Sequence, residues 1–423
     1  MHSIRHRIHQ EIFYIFCLLL AALIPVFPRL LPAIIFFMVV NWLIQGTYFR
    51  TIPLFFKERW RIWTLALASL YLLYLLGMLY STDYEYGWKD LEIKLSLVVF
   101  PVVFATSDMT IFTRPRFRLL LQVFIAGCLA GSLLLLCHTW IFNERRGVAD
   151  AYYYISLSWY FHPTYLAMYY NFALVILLFY FSRGFSGSPP HAKMILILTA
   201  LALEALIFLL SSKTGLIMIL ISEALFIILL IRERTRVKHV MLILAGMILV
   251  FITFSRIFPF AFTRINRADA TITEHRSIMA NPNDGTLARM EIWKISLNLI
   301  RQNFLTGVGT GDVKDVLMEA YKSHNLYPVL KKKLNAHNQY LQTFLTLGVL
   351  GFTLLLAVLI FPLIRSVKGK DYLYAMFILV FGVNILFESM LELQAGVVFY
   401  AFFNAFLFAK EKATLPDDLS GSE

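Results

Sequence analysis

The chain has 423 residues, of which 59% are hydrophobic and only 15% are charged. Soluble domains carry about a quarter charged residues, so this composition excludes a water-soluble globule. The formal net charge is +12. The three cysteines lie in apolar blocks, where they are expected to be small buried hydrophobes and not a disulfide framework or a metal cluster.

Apolar blocks of about 15–25 residues follow one another along the chain, long enough to cross a bilayer. Blocks such as 216–231 are apolar on every face, which is typical of membrane helices and not of alternating strands. The sequence therefore predicts an all-α polytopic membrane protein with about twelve transmembrane helices. The predicted spans are 12–27, 30–45, 62–80, 93–106, 118–141, 164–182, 194–210, 215–231, 239–257, 338–364, 373–387 and 393–409.

Basic residues are distributed unevenly over the segments that connect these spans. If the N-terminus is cytoplasmic, the cytoplasmic segments hold twenty Lys and Arg residues and the short outer segments hold six. Because positive residues favour the cytoplasmic side, both termini are predicted to be cytoplasmic. The block 12–27 follows a basic start without a small-residue cleavage site after it, so it is predicted to be a retained helix.

This topology divides the chain into four parts. Residues 1–257 would form spans one to nine, 258–337 a large outer helical loop, 338–409 the last three spans, and 410–423 a cytoplasmic tail. The long loop has a basic excess, which fits either anionic lipid head groups or an anionic substrate. Apolar residues at helical spacing over 286–302 predict an amphipathic helix on the membrane surface.

The run Gly307-Val308-Gly309-Thr310-Gly311 invites comparison with phosphate-binding loops. It lacks the Gly-Lys-Ser/Thr ending and no predicted strand precedes it, so we interpret the glycines as shaping a tight turn. Asp312 is then predicted to cap a short helix that runs to about Tyr321. No His, Cys, Asp or Glu residues have the spacing of a metal site, so the sequence predicts no metal and no other cofactor.

Polar residues are concentrated where the long loop enters the tenth predicted span. Three lysines at 331–333 precede Asn335, His337 and Asn338, and the apolar part of the span follows. A single histidine at a membrane interface is usually a polar residue that reaches for water, but several polar residues in succession favour a site. Imidazole can accept a proton near neutral pH, so His337 is the first candidate for a catalytic base.

Several motifs together resemble the core of the O-antigen ligase and polymerase superfamily. They are His337-Asn338 followed by Gly348 and Gly351, an upstream Arg289-x-x-x-Trp293, and Gly307-Val308-Gly309. Further motifs resemble Bacteroidetes-type members: His162-Pro163-Thr164-Tyr165, Ser211-Ser212-Lys213-Thr214-Gly215 and Glu388-Ser389-Met390-Leu391-Glu392. The predicted layout, with one large outer loop before the tenth span, also fits this family.

The resemblance implies a metal-independent, inverting glycosyltransferase of the bacterial inner membrane with a GT-C-like arrangement of helices. Such enzymes take a glycan from undecaprenyl pyrophosphate at the periplasmic face, as in lipopolysaccharide biosynthesis. The implied partners are that lipid-linked donor, lipid A-core or another glycan or protein acceptor, and membrane lipids, with no nucleic acid.

O-antigen ligation to lipid A-core is the first hypothesis for the reaction. An O-antigen or exopolysaccharide polymerase and a protein O-oligosaccharyltransferase are alternatives, because all three need the same donor site. A transporter of lipid-linked glycans belongs to a different class and would show two related halves, for which the sequence gives no sign.

The resemblance and the chemistry together suggest roles for individual residues. A departing pyrophosphate needs fixed positive charge in a site without metal, which Arg289 and Lys213 could supply, although both could be interfacial anchors. Lys213 stands where many family members carry arginine, so bidentate phosphate recognition is lost at this position. His162 and Glu392 are further catalytic candidates, and His162 is equally suited to a helix start.

Asn338, Tyr165 and Glu388 are predicted to support the site. Glu388 and Glu392 would orient His337 or an arginine, with solvation at the surface as the alternative. Two other glutamates, Glu204 and Glu223, fall in the middle of predicted spans, where an ionised side chain costs about 2.5–3.5 kcal/mol. They are either protonated and bonded to neighbouring helices or part of a proton or ion pathway.

Overall fold

The computed structural model describes residues 2–46, 48–51, 53–54, 57–144, 147, 151–184, 189–232, 237–259 and 285–410. Within these ranges the chain forms helices and turns and no strand. The predicted all-α class is confirmed for this part of the chain. Residues 411–423 of the predicted tail and residues 260–284 of the predicted long loop lie outside the described residues.

Among the described residues, sixteen helices contain eight residues or more. They are α1 (His2–Leu23), α2 (Leu31–Gln45), α3 (Arg59–Ala66), α4 (Ser69–Gly77), α5 (Tyr84–Lys94), α6 (Ser96–Thr106), α7 (Arg114–His138), α8 (Pro163–Gly184), α9 (Pro190–Leu209), α10 (Lys213–Arg232), α11 (Val237–Ile257), α12 (Gly285–Gln302), α13 (Val313–Ser323), α14 (Gln339–Lys368), α15 (Tyr372–Asn384) and α16 (Gln394–Ala409). Shorter helical segments are Pro28–Leu30, Tyr48–Thr51, Met78–Tyr80, Met109–Ile111, Thr139–Glu144, Tyr154–Leu157, Tyr327–Lys332 and Met390–Glu392.

Seven segments in the described ranges are long and apolar enough to cross a membrane, judged by length and composition. They are Pro28–Gln45, Trp60–Tyr80, Arg114–Phe142, Pro163–Tyr180, Pro190–Leu209, Lys213–Ile231 and Gln339–Lys368. Shorter apolar helices lie at Ala245–Ile257, Tyr372–Asn384 and Gln394–Ala409. The structure is thus that of a multi-helix membrane protein, and the count of twelve spans stays a prediction.

The predicted fourth span, 93–106, differs in the structure. Its region forms the polar helix α5 and the apolar helix α6, which follow each other directly. Asp83 caps α5 by accepting a hydrogen bond from the amide of Tyr86, as expected of an acidic residue at a helix start. Helix α6 has eleven residues, about half the length that an unaccompanied helix needs to cross the hydrocarbon core.

Helix α16 forms the centre of the helix bundle. Every residue from Gly396 to Ala409 is buried, and a helix that is apolar on all sides must be surrounded by other helices. Its phenylalanines contact aromatic rings from four neighbours: Phe100 of α6, Phe124 of α7, Phe172 of α8 and Phe377 of α15. These ring contacts fix the positions of α8 and of the turn that precedes α16.

Helix α14 is broken near its beginning, at Gly348. The φ and ψ of Gly348 are 64° and −161°, a conformation that side chains other than glycine's do not adopt without strain. Three backbone hydrogen bonds join the segment 304–309 to the break, from Val308 to Leu345, from Gly309 to Thr346 and from Val349 to Phe304. The first part of α14, residues 339–347, is therefore held in place by the loop that precedes it.

Helix α12 has the predicted position, but its apolar face is covered by protein. Leu287, Ile292, Ile295 and Ile300 pack in one hydrophobic cluster with residues of α13 and with Leu345 of α14. The prediction that this face rests on the membrane surface is wrong. The apolar residues of α13 and α14 cover it instead, which the sequence of α12 alone does not reveal.

The glycine-rich run passes through a bend at Val308 into a turn at 310–312. Gly307 and Gly309 have φ of 69° and 96°, in the region that favours glycine. Asp312 precedes α13 as expected, but its carboxylate does not cap that helix. It accepts hydrogen bonds of 2.8 Å from the amides of Thr82 and Asp83, the two residues that precede α5.

The two mid-span glutamates lie where the sequence predicts them. Glu204 is in α9 and Glu223 in α10, and each is less than a tenth exposed. The two side chains lie within electrostatic range of each other. The Oε1 atom of Glu223 is buried without a hydrogen-bond partner.

Candidate functional site

Five distant parts of the chain meet at one end of the helix bundle. The candidate site contains His162 before α8, Lys213 at the start of α10, Arg289 in α12, His337 before α14, and the turn 388–392 between α15 and α16. Glu388 interacts electrostatically with His162, Arg289 and His337. The structure therefore brings together residues that the sequence singled out in separate motifs.

His337, just before α14, has an unusual backbone conformation. His337 has a φ of 46°, which is uncommon for a residue with a side chain and is frequent at functional sites. The side chain of Asn335 accepts a hydrogen bond of 3.0 Å from the amide of His337. Asn338 caps α14, because its side-chain oxygen accepts a hydrogen bond of 3.1 Å from the backbone amide of Leu341. The backbone amide of Asn338 donates a hydrogen bond to the hydroxyl of Ser389. The predicted supporting residue Asn338 thus ties the helix start to the turn 388–392.

The side chain of Glu388 joins His337 to Arg289. His337 Nδ1 lies 2.8 Å from Glu388 Oε1, and Arg289 Nη2 lies 3.5 Å from Glu388 Oε2. Burial alone would raise the pKa of Glu388, but the His337 hydrogen bond and the nearby charges of His337, His162 and Arg289 outweigh it and lower the pKa to about 2. Glu388 is therefore ionised at neutral pH, and a proton on Nδ1 leaves His337 Nε2 as the basic atom.

Two buried atoms of the Arg289 and Glu388 side chains retain unused hydrogen-bonding capacity. Arg289 Nε and Glu388 Oε2 are buried without a hydrogen-bond partner, although most buried polar atoms in proteins have one. The positive charge around Glu388 suits an anionic or polar ligand. Among the described residues, no three His, Cys, Asp or Glu side chains are grouped as ligands of a metal ion.

Lys213 approaches the same region from α10. Its Nζ atom donates a hydrogen bond of 2.7 Å to Thr286 Oγ1 at the start of α12, one helical turn before Arg289. The ammonium of Lys213 therefore reaches the start of the helix that carries Arg289, although Lys213 itself belongs to α10. This helix start also carries the positive end of the helix dipole.

His162 and Tyr165 lie beside the turn 388–392. His162 Nδ1 accepts a hydrogen bond of 3.4 Å from the amide of Thr164, so the predicted role at a helix start is present. The rings of His162 and Tyr165 meet edge to face with their centres 6.5 Å apart. Tyr165 is buried against Gly396 and lies within electrostatic range of Glu388 and Glu392.

The two glutamates of the turn 388–392 have different partners. Glu388 contacts His337 and Arg289, which is the contact that the sequence predicts. Glu392 Oε1 lies 3.2 Å from Lys94 Nζ and accepts a hydrogen bond of 3.1 Å from Gln339 Nε2. Sequence reasoning overlooked Lys94, although Asp90 and Lys94 at a spacing of four residues are a recognisable helix pair.

Comparison with known proteins finds a family model that matches part of the chain. A family model described as O-antigen ligase matches residues 195–356, which include Lys213, Arg289, His337 and the break at Gly348. This match covers less than half of the chain and is a similarity to the O-antigen ligase family. No curated protein matches the chain.

Glu388 and His162 lie outside the matched segment. Glu388 contacts His337 and Arg289 inside the segment, and His162 lies within electrostatic range of Glu388. The candidate site therefore includes residues beyond the segment that matches the family model.

Proposed function

We propose that this protein is a metal-independent, inverting glycosyltransferase of the bacterial inner membrane. It transfers a glycan from undecaprenyl pyrophosphate to an acceptor hydroxyl at the periplasmic face, with both termini in the cytoplasm. The observation that carries the proposal is the buried Glu388 carboxylate, which holds His337 on one oxygen and faces Arg289 with the other. The similarity to the O-antigen ligase family supports the same type of reaction.

The proposed reaction begins with the acceptor. His337 Nε2 removes the proton from the acceptor hydroxyl while the hydroxyl oxygen attacks the anomeric carbon of the donor sugar. Glu388 holds the imidazole at Nδ1 and stabilises the positive charge that develops on it. His162, next to the same carboxylate, is the alternative base.

The proposed reaction ends with departure of the lipid. The bond between the anomeric carbon and the pyrophosphate oxygen breaks, and undecaprenyl pyrophosphate leaves with an additional negative charge. Arg289 and Lys213 stabilise this charge from the first turns of α12 and α10. Because the acceptor attacks directly and from the opposite side, the configuration at the anomeric carbon inverts.

Ligation of O-antigen to lipid A-core is the acceptor reaction that we propose first. Deletion of the gene, followed by gel analysis of cell-surface glycans, tests it. Loss of polymer from lipid A-core while lipid-linked polymer accumulates supports the ligase. Single repeat units on the core would show a polymerase, and unglycosylated proteins would show a protein O-oligosaccharyltransferase.

Transport of lipid-linked glycans is the alternative from a different class. The two glutamates in α9 and α10 are the observation that favours it, because ionisable residues inside spans often line ion pathways. If the purified protein transfers glycan between donor and acceptor in detergent micelles, transport is not its primary function.

Substitution of the two cations tests the proposed donor site. We expect Arg289→Ala and Lys213→Ala each to lower kcat/KM by roughly tenfold to a hundredfold, since a charge-assisted hydrogen bond contributes about 1.5–3 kcal/mol. Transfer from the lipid-linked donor to the acceptor is measured with purified protein. Lys294→Ala is the matched control, because Lys294 is an exposed lysine of α12 that pairs with Glu291 and should leave transfer unchanged.

The same assay tests whether a metal takes the role of these cations. Transfer should persist in the presence of EDTA. Loss of transfer on chelation, restored by a divalent metal, would contradict the cationic site, and so would unchanged kcat/KM in both alanine variants.

Substitution of Glu388 tests the proposed orientation of His337. Because its pKa is about 2, Glu388 stays ionised across the assay range, and its favourable contribution to folding is lost only as the pH falls from about 4.5 towards 2. A carboxylate beside an imidazole favours the protonated imidazole. We therefore expect Glu388→Gln to lower kcat about tenfold to a hundredfold, because the amide does not stabilise the positive charge that develops on His337 during proton transfer. Unchanged kcat would show that Glu388 does not act on the base.

A further inference from the structure

Lys94 is a buried cation that the proposed reaction does not use. Its side chain is fully buried at the end of α5. It pairs with Asp90 one turn earlier and with Glu392 at 3.2 Å, and its ammonium lies 4.7 Å from the centre of the Tyr74 ring. A buried ammonium is costly unless its partners satisfy it completely, so this arrangement calls for an explanation.

Glu392 extends the contacts of Lys94 to the start of α14. Its Oε1 atom accepts a hydrogen bond of 3.1 Å from Gln339 Nε2, and Gln339 Oε1 accepts one of 2.8 Å from the amide of Leu391. Gln339 Nε2 also donates to Thr343, whose hydroxyl shares a hydrogen bond with Tyr74. Lys94, Glu392 and Gln339 thus form a closed polar network between α5, the turn 388–392 and α14.

This network ends beside the residues of the candidate site. Gln339 is the second residue after His337, and the turn 388–392 carries Glu388, which holds the imidazole. The amide of Asn338 donates to Ser389 in the same turn. A shift of this turn relative to α14 would therefore change the distance between Glu388 and His337.

The charges of the network explain why it needs a cation. Lys94 faces two carboxyl groups, those of Asp90 and Glu392, in a place with little water. Burial raises the pKa of Asp90 against the opposing effect of Lys94. Without the ammonium, the two acidic groups would repel each other, Asp90 would take up a proton, and Glu392 would lose its fixed position.

We propose that Lys94 is a positioning residue of the transfer reaction. By holding Glu392 and Gln339, it fixes the turn 388–392 and thereby the orientation of Glu388 and His337. This inference rests on the proposed function of His337.

The test uses full-length protein purified in detergent, with the lipid-linked glycan extracted from membranes of the gene-deletion strain as donor. Lys94→Met should lower kcat about tenfold to a hundredfold while the donor KM changes less than threefold, because small displacements of catalytic groups slow chemistry more than binding. Lys89→Met is the control: Lys89 is an exposed lysine of α5 paired with Glu85, and its removal should change neither constant.

A charge-balanced variant separates positioning from folding. Lys94→Met combined with Glu392→Gln removes the repulsion between the two carboxyl groups and keeps an acceptor for Gln339, so its kcat should recover at least fivefold over Lys94→Met. Hydrogen exchange of residues 386–393 gives a readout that does not depend on activity. Lys94→Met should speed exchange of the Leu391 amide, whereas Lys89→Met should not.

The outcomes distinguish this inference from the proposed function. Unchanged exchange at Leu391 or unchanged kcat in Lys94→Met overturns the positioning role, even if His337→Gln abolishes transfer. A double variant no faster than Lys94→Met overturns it as well. If His337→Gln retains transfer while Lys94→Met speeds exchange, the link between Lys94 and the turn stands and the proposed base is wrong.

Discussion

Replacement of His337 by glutamine should reduce kcat by roughly 10²–10⁴-fold, the usual contribution of a general base. Glutamine keeps a polar side chain of similar size but cannot accept the proton of the acceptor hydroxyl. Donor binding should remain near normal, because Arg289 and Lys213 are unchanged. The measurement is transfer and donor binding on the same purified protein.

His324→Gln is the matched control for this substitution. His324 is an exposed histidine at the end of α13, in the same loop as His337, and its replacement should leave kcat unchanged. A structural role of His337 at the helix start would tolerate glutamine. Near-normal transfer by His337→Gln would therefore remove His337 from the mechanism and make His162 and Glu392 the next candidates.

Replacement of Gly348 by alanine should destabilise the protein by roughly 3 kcal/mol or more. The backbone of Gly348 is in a conformation that strains any other residue, and an added Cβ would overlap the carbonyl of Leu305. The segment 304–309 would be displaced, and with it the first part of α14 that follows His337. The apparent unfolding temperature in detergent and the amount of folded protein measure the effect.

Gly246→Ala provides the control for this second substitution. Gly246 lies inside α11, and an added Cβ there meets no atom within 4 Å, so alanine should be neutral or slightly stabilising. Alanine at position 348 would favour a continuous helix. Equal unfolding temperatures for Gly348→Ala and the unchanged protein would therefore mean that α14 is not broken at this glycine.

Local features of the chain were predictable because they depend on residues that are close in sequence. Hydropathy over each apolar block is enough to indicate a membrane helix, and the spacing of apolar residues in 286–302 is enough to predict α12. The positive φ at Gly307 and Gly309 follows the ordinary preference of glycine-rich turns. The polar run at His337 and the motif at Glu388 were recognisable for the same reason.

One pair of contacting residues in the candidate site was predictable from the sequence. A histidine at a membrane interface and a glutamate in an outer turn are expected to meet if both face one end of the bundle, and His337 and Glu388 do so. The same reasoning could not decide between Glu388 and Glu392, which lie in one turn. Only the structure shows that Glu392 pairs with Lys94, whereas Glu388 pairs with His337.

By itself, the sequence determined the helical membrane class, the main helices and the identity of the polar residues at the site. The tertiary structure alone decided that segment 304–309 enters the break in α14, that Asp312 binds the start of α5, and that Lys94 holds Glu392. Each of these contacts joins residues that are far apart in the chain. Their formation depends on how buried surfaces and unpaired polar groups fit together across helices, which local patterns do not encode.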